Sequence, residues 1–427
     1  MKNFLIFTLV FLFLGVQSDT QWKTYYTSTN ASFSDIKLVD QNIIWACGSN
    51  GIVVKTVNAG SSWINSSGNL PVARYWHITA VDQNNAWVTS GSNGSKLYRT
   101  TNGGVNWVEQ FYNQPYWINK IHFFNQNTGI FLRDPLNPNG GNDTAGFFIT
   151  RNGGLNWYRS SNTPRTTVLY DNCMDVIDTN FICIIDNDKI YMLKNGLENV
   201  WQAVQVSPSI ILWNASFINI NTGYVSCSSG GFKIFKTTNS GLNWDLFASH
   251  DNWATIDFDY IPNTNFAFAT SQQEVRVSTN SGLNWCYVAH YLPADSVYLS
   301  QIDAIDTNSV WLAADRGYIF KYDVNYMGPV IGVNQLSSEI PDRFTLYQNY
   351  PNPFNPVTKI KFDIPKPGNI SFRVCDVLGK IVYSINEYKD AGSYEIIFNG
   401  NNIASGIYYY SIEANGLTDV KKMVLLK

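Results

Sequence analysis

From Trp22 onward, short apolar runs alternate with clusters of Asn, Asp, Gly and Ser, and no stretch keeps a helical period. In one unit the runs are Ile36–Val39, Ile43–Cys47 and Ile52–Lys55, followed by a run that opens at Trp63. Another unit gives Ala215–Ile218, Gly223–Cys227 and Phe232–Lys236 before Trp244. Short runs of this kind, bounded by turn formers, predict strands. Each set ends on one phrase, Thr/Ser-x-Asn-x-Gly-x-x-Trp. It stands at Thr56–Trp63, Thr100–Trp107, Thr150–Trp157, Thr237–Trp244 and Ser278–Trp285.

Turn chemistry explains every position of the phrase. Asn (Asn102, Asn152, Asn239, Asn280) hydrogen-bonds its own backbone and tolerates left-handed dihedrals. Gly supplies positive φ. The Thr or Ser hydroxyl caps the turn from the outgoing strand, and Trp opens the returning strand with a large apolar surface. The phrase is therefore a hairpin clasp with a packing anchor. The anchors are Trp63, Trp107, Trp157, Trp244 and Trp285, with an eroded copy from Lys194-Asn195-Gly196 to Trp201. Trp22 lies one period earlier and completes seven. A period of roughly 40–50 residues is that of a four-stranded propeller blade. The expected fold is all-β, a seven-bladed β-propeller over residues 19–327. The seventh unit (Gln301–Ile305, Val310–Ala313, Tyr318–Tyr322) lacks its Trp strand, and Trp22–Tyr26 is the strand available to supply it.

The pattern changes after Tyr326. Residues 328–343 read as a linker opened by Gly328-Pro329. Residues 344–427 hold the alternating runs Thr358–Phe362, Ile370–Val374, Ile381–Tyr383, Tyr394–Phe398, Ile407–Ile412 and Lys421–Leu426, which predict a small Ig-like β-sandwich. At the other end, Met1-Lys2-Asn3 and the apolar run Phe4–Val16 read as a signal peptide over residues 1–18, cut after Ser18. No other run is long and apolar enough for a membrane helix.

Composition narrows the function classes. Aromatic residues make up 15% and charged residues 14%, a balance that suits an exported β-rich protein. A net charge of −3 gives no reason to expect nucleic acid or an anionic membrane as partner. The six cysteines (Cys47, Cys173, Cys183, Cys227, Cys286, Cys375) show no CxxC spacing. Export permits disulfides, but the equivalent places of Cys47, Cys183 and Cys227 in their units suit small buried hydrophobes.

The repeated phrase resembles the Asp-box, or bacterial neuraminidase (BNR) repeat, with Asn in place of the usual Asp. Its period and the wording at Thr100–Trp107 are also similar to photosystem II stability/assembly factor propellers. The C-terminal unit resembles the type A sorting domain of the type IX secretion system. It does so at Tyr350-Pro351-Asn352-Pro353-Phe354-Asn355, Asp376-Val377-Leu378-Gly379-Lys380, Ser405-Gly406-Ile407-Tyr408-Tyr409-Tyr410 and Lys421–Lys427. That resemblance implies passage through the periplasm, the secretion machinery as partner, and a secreted or outer-membrane-surface destination. The propeller resemblances imply protein-assembly work or, alternatively, a sialidase-like or other glycoside hydrolase.

No motif ties catalytic residues together. HExxH, GxSxG and P-loop signatures are missing, and His77, His122, His250 and His290 are scattered. Arg74, Arg99, Arg133, Arg276 and Arg316 share no local pattern, and propeller glutamates are few (Glu109, Glu198, Glu274). No catalytic residue, metal or cofactor is therefore expected. Two constellations remain. Phe33, Tyr75, Trp76, Tyr116, Trp117, Tyr170, Trp213, Trp253 and Tyr298 fall where each unit enters its innermost strand. As a set they would surround one mouth of the channel, with Tyr75, Trp76, Tyr116, Trp117, Trp213, Trp253 and Tyr298 the best candidates to bind a protein or carbohydrate. The second set is Lys37, Thr79, His122, Asp175, Ser216, Asp257 and Asp303, mid-strand positions that could line the channel or join neighbouring units by hydrogen bonds. The third unit also carries a long loop from Arg133 to Gly146.

Overall fold

The structure is a computed structural model. It describes residues 22–427 apart from 92–94, 114–116, 135–144, 164–172, 209, 228–230, 251–256, 272–274, 279, 284, 288–296, 323–332, 338 and 401–402. The expected signal peptide and most of the Arg133–Gly146 loop lie outside the described residues.

Residues 22–322 form seven four-stranded antiparallel sheets among the described residues. Their innermost strands, sheets one to seven in order, are Phe33–Leu38, Tyr75–Ala80, Ile118–Phe123, Met174–Asp178, Leu212–Phe217, Asp257–Tyr260 and Leu299–Asp306. The second strand of each sheet is the most deeply buried, because both its faces pack against other sheets. It follows that these strands read as continuous apolar runs rather than as alternation. Trp45, Trp87 and Trp311 sit at equivalent places on three of them and are fully buried. A cation from the third strand covers each indole: Lys55, Arg99 and Lys321 lie 4.8, 5.1 and 5.3 Å from the respective ring centroids. The expected closure is present. Trp22–Tyr26 pairs with Tyr318–Tyr322 from Trp22 opposite Tyr322 to Tyr26 opposite Tyr318, as the outer strand of sheet seven.

Four of the five copies of the repeated phrase close their turn with the same four bonds. At Thr237, the hydroxyl donates to Asn239 Oδ1 (3.0 Å) and accepts from the N–H of Asn239 (3.3 Å) and of Gly241 (2.9 Å). Asn239 Oδ1 then accepts from Asn243 N (3.0 Å). The same set recurs at Thr56, Thr100 and Thr150. In these bonds the Asn side chain acts through Oδ1 alone, which is why Asn serves where Asp is usual. Two successive residues are left-handed, Ser240 (φ 59) and Gly241 (φ 77), and the eroded copy keeps this pair at Asn195 and Gly196 (φ 62 and 116). The glycine has a second reason to be small. A side chain at Gly241 would strike Met192 of sheet four, and one at Gly104 would strike Ser66 of sheet one. The turn of one sheet is thus seated against the sheet before it. Trp63 reaches Trp311 of sheet seven, and Trp201 reaches Phe147 of sheet three, in edge-to-face contacts at 6.1 and 5.1 Å.

The C-terminal unit is two four-stranded sheets enclosing one apolar core that includes Phe362, Ile396, Phe372 and Tyr410. Along Val357–Ile364 burial alternates residue by residue, as a strand with one face inward requires. The linker expectation needs correcting. Val333–Ser337 is a strand of this unit, paired with Gly392–Asn399. Its mixed polar sequence beside Gly328-Pro329 gave no apolar alternation to read. Cys47, Cys173, Cys183 and Cys227 are buried and packed in the apolar clusters as small hydrophobes.

Replacing Asn239 by Ala removes an oxygen that accepts twice and should cost about 1–2 kcal/mol, lowering Tm by roughly 2–6 °C. Asn239→Asp keeps that oxygen and should leave the melting curve nearly in place. Thermal unfolding followed by near-ultraviolet circular dichroism decides this, and equal melting of the two variants would refute the role given to Oδ1.

Candidate functional site

Two features meet where sheets one, two, three and five enter their innermost strands, a β-bulge and a loop. The register between the first and second strands shifts between Phe33 and Asp35, Tyr75 and His77, Ile118 and Lys120, and Leu212 and Asn214. Ser34, Trp76, Asn119 and Trp213 are the extra residues. A bulge turns its unpaired residue away from the regular face of the strand. Trp213 is consequently 37% exposed and Trp76 half-buried, whereas Tyr75 beside it faces the core at 0%. Tyr75 also donates its hydroxyl to Pro71 O at 2.9 Å.

The aromatic set therefore divides. Trp76, Trp117 (46% exposed), Trp213 and Tyr298 (51% exposed) reach solvent at this mouth. Tyr75 and Phe33 are core residues, because the bulge places its extra residue after them rather than before. Tyr116, Tyr170 and Trp253 lie outside the described residues. Trp76 and Trp117, from neighbouring sheets, come together: a side chain at Gly91 would collide with both indoles. Gly91 lies at the end of the second strand of sheet two, where only hydrogen leaves room for the pair.

All of the polar set but Ser216 lines a central cavity of about 180 Å³, together with Asp35, Lys120 and Asp259. Strand register arranges these residues in two tiers. Lys37, Thr79, His122, Asp175, Ser216, Asp259 and Asp303 face Trp45, Trp87, Ile130, Cys183, Tyr224, Phe268 and Trp311 of the second strands. Asp259, not Asp257, is thus the sheet-six member. Asp257 stands two residues away, in the tier of Asp35, His77, Lys120 and Asn214. The sequence placed Asp257 a step out because the entry to that strand has no apolar run to fix register.

Most of these side chains bond the backbone of the next sheet. Asp303 Oδ2 accepts from Leu38 N (2.7 Å) and from Lys37 Nζ (3.0 Å). Asp35 accepts from Ile78 N (2.9 Å), Thr79 from Phe123 N (3.3 Å), and Asp175 from Phe217 N (2.7 Å). Ser216 accepts from Tyr260 N, while Asp257 and Asp259 accept from Ile302 N and Ala304 N, each at 3.2 Å. The joining role weighed for these residues is the one the geometry supports. The carboxylates converge inside the channel, but as fasteners between sheets. Among the described residues no three His, Cys, Asp or Glu side chains form a group that could hold a metal.

Burial governs the charges. It pushes Asp175 and Asp257 up to about 6, against the pull of the N–H donors they hold and of Lys120. Burial, then the charges of Lys37 and Lys120, drives His122 down to about 3. Burial alone would lower Lys37 and Lys120 as well, but Asp303 raises the first and Asp35 and Asp257 raise the second.

Asp175 and Asp257 have folded pKa values above their unfolded ones, so their contribution is full below about pH 4 and lost as pH rises through 6. His122 has a folded value below its unfolded one, so its contribution is full above about pH 6.5 and shrinks as pH falls. The two trends oppose each other between pH 4 and 6.5. His122→Gln should therefore gain on wild type as pH drops. Its Tm relative to wild type should be higher at pH 5 than at pH 7.5. The gain corresponds to at most about 2 kcal/mol, and to less where channel water screens the ring. Parallel melting curves at the two pH values would contradict the assignment.

Comparison with known proteins adds to this geometry. Residues 348–426 match the family described as the secretion system C-terminal sorting domain. No curated protein sequence matches the chain. The solved structure of YCF48 bound to a D1 peptide is similar at 15% identity, over 71% of this chain and 97% of that one, with a TM-score of 0.58. YCF48 from Cyanidioschyzon merolae is similar at 16% identity, over 72% and 99%, with a TM-score of 0.58. A GH74 xyloglucanase from Xanthomonas campestris is similar at 9% identity, over 80% of this chain and 59% of that one, with a TM-score of 0.51. At such identities the likeness is one of fold, and the fold is a β-propeller. No helix among the described residues is long and apolar enough to cross a membrane. The sorting domain marks the chain for type IX export to a secreted or outer-membrane-surface location.

Proposed function

We propose that the chain is a secreted or cell-surface binding protein without catalytic activity: a seven-bladed propeller of Asp-box-like repeats, residues 19–327, that holds a protein or glycan partner at its aromatic mouth. The observation that carries this reading is the fate of the entry residues. Strand bulges turn Trp76 and Trp213 out of the core, and Trp117 and Tyr298 stand exposed at the entries of sheets three and seven. Exposed indoles on a rigid, fully paired scaffold lose little entropy on binding and carry much of the energy of typical interfaces. The channel carboxylates argue in the same direction. Each is engaged with backbone N–H groups of the next sheet, and the cations beside them are lysines rather than an arginine cluster. The C-terminal unit, in our reading an Ig-like sandwich, engages the secretion machinery.

Alanine at both Trp76 and Trp117 should abolish partner binding in a glycan and peptide screen of the full chain, with circular dichroism unchanged. Undiminished binding would reject the mouth as the site. Deleting Phe344–Lys427 should leave the protein in the periplasm, as read by cell fractionation; normal surface delivery of the truncated form would remove the sorting role.

A further inference from the structure

Arg74 stands two residues before the bulge tryptophan of sheet two, and three contacts shape its surroundings. Its guanidinium carbon lies 4.5 Å from the centroid of the Trp76 ring, a cation–π stack. Its Nε donates to Ser34 Oγ at 3.1 Å, and Ser34 is the bulge residue of sheet one. Trp76 in turn shares the space above Gly91 with Trp117. The Ser34 hydroxyl of sheet one therefore orients the guanidinium, the Trp76 indole of sheet two stacks on it, and the Trp117 indole of sheet three meets Trp76 over Gly91. Among the described residues the terminal nitrogens of Arg74 have no partner, and the residue is exposed. A planar guanidinium with free terminal N–H groups matches a carboxylate two bonds at a time.

We infer that this corner of the mouth is a subsite for an acidic glycan, a sugar ring bearing a carboxylate. The inference rests on the proposed binding role of the mouth. Arg74 takes the carboxylate, and the indoles of Trp76 and Trp117 take the C–H face of the ring. Gly91 acts as the positioning residue: its φ is not left-handed, so its need for hydrogen comes from the two indoles and not from the backbone. A peptide is the less suited occupant. Strand addition, one common mode of peptide binding, needs an open sheet edge, and at these entries each innermost strand is paired on one side and meets the next sheet on the other.

The test uses the full chain with tri-galacturonate as probe and its methyl ester as the neutral control, by titration calorimetry. The acid should bind at least about 10-fold more tightly than the ester. Arg74→Gln should remove that preference while leaving ester binding in place. Gly91→Ala should weaken both ligands about 10-fold or more and shift tryptophan fluorescence, with Tm as the control for folding. Because Arg74 is exposed, Arg74→Gln tests the inference even where Gly91→Ala disturbs the fold. Equal affinity for acid and ester, no binding of either, or a preference that survives Arg74→Gln would overturn it. A neutral glycan or a peptide whose binding is lost on Trp117→Ala but indifferent to Arg74→Gln would sink this subsite and leave the binding role of the mouth standing.

Discussion

The structure depends on how the inner edge of each sheet is satisfied. A four-stranded sheet leaves its innermost strand with unpaired N–H groups facing the axis, and buried donors without partners cost about 1–3 kcal/mol each. No further strand fits there. The chain answers with short oxygen-bearing side chains that reach across to the next sheet, such as Asp35 to Ile78 and Asp303 to Leu38. Sheets one to three and four to seven are joined in this way, and sheet seven returns to sheet one. Between sheets three and four the inner strand offers Lys120 and His122 instead, and there apolar packing of Ile130, Leu132, Phe147 and Ile149 against sheet four carries the contact. Burial makes Asp35, Asp175 and Asp257 poor anions, and that is the cost of using them as fasteners.

The outer half of the ring is held by different means. The repeated phrase was legible as a turn from its residue types alone. What the sequence could not show is that the turn glycine also fills a place too small for a side chain against the preceding sheet, as Gly241 does against Met192. The copy ending at Trp201 keeps its left-handed pair though it has lost the Thr and the spacing; a side chain at Gly196 would meet no neighbour, so there the backbone conformation alone calls for glycine. A position with two independent reasons to be glycine is harder to change than one with a single reason.

Much of the fold was readable because period and turn chemistry are local. The closing strand at Trp22–Tyr26 could be inferred by counting, since one unit lacked a strand and one strand lacked a unit. Register was not local in this sense. Tyr75 and Trp76 are neighbours of similar character, and only the bulge, a property of strand pairing, sends one inward and the other outward. Asp257 and Asp259 differ by one tier, and only the pairing of their strand with the next tells which faces which tier. Val333–Ser337 escaped notice because its strand is polar and its partner lies far along the chain, at Gly392–Asn399. Arg74 was visible only as one of several scattered arginines. Its meaning came from Ser34, which the sequence keeps a full unit away.

The pairing of Trp22 with Tyr322 places the entrance and the exit of the ring at one end of a single antiparallel ladder. The sorting unit follows Tyr322 in the chain, so tension between the N-terminus and a surface-held C-terminal unit would act on that ladder from its open end. It would part the rungs one after another, Trp22 from Tyr322 first, rather than shear all of them together. The seam that completes the ring is therefore also the place where the ring yields to pulling, and a propeller tethered through its C-terminus would open there while its other sheets stay paired.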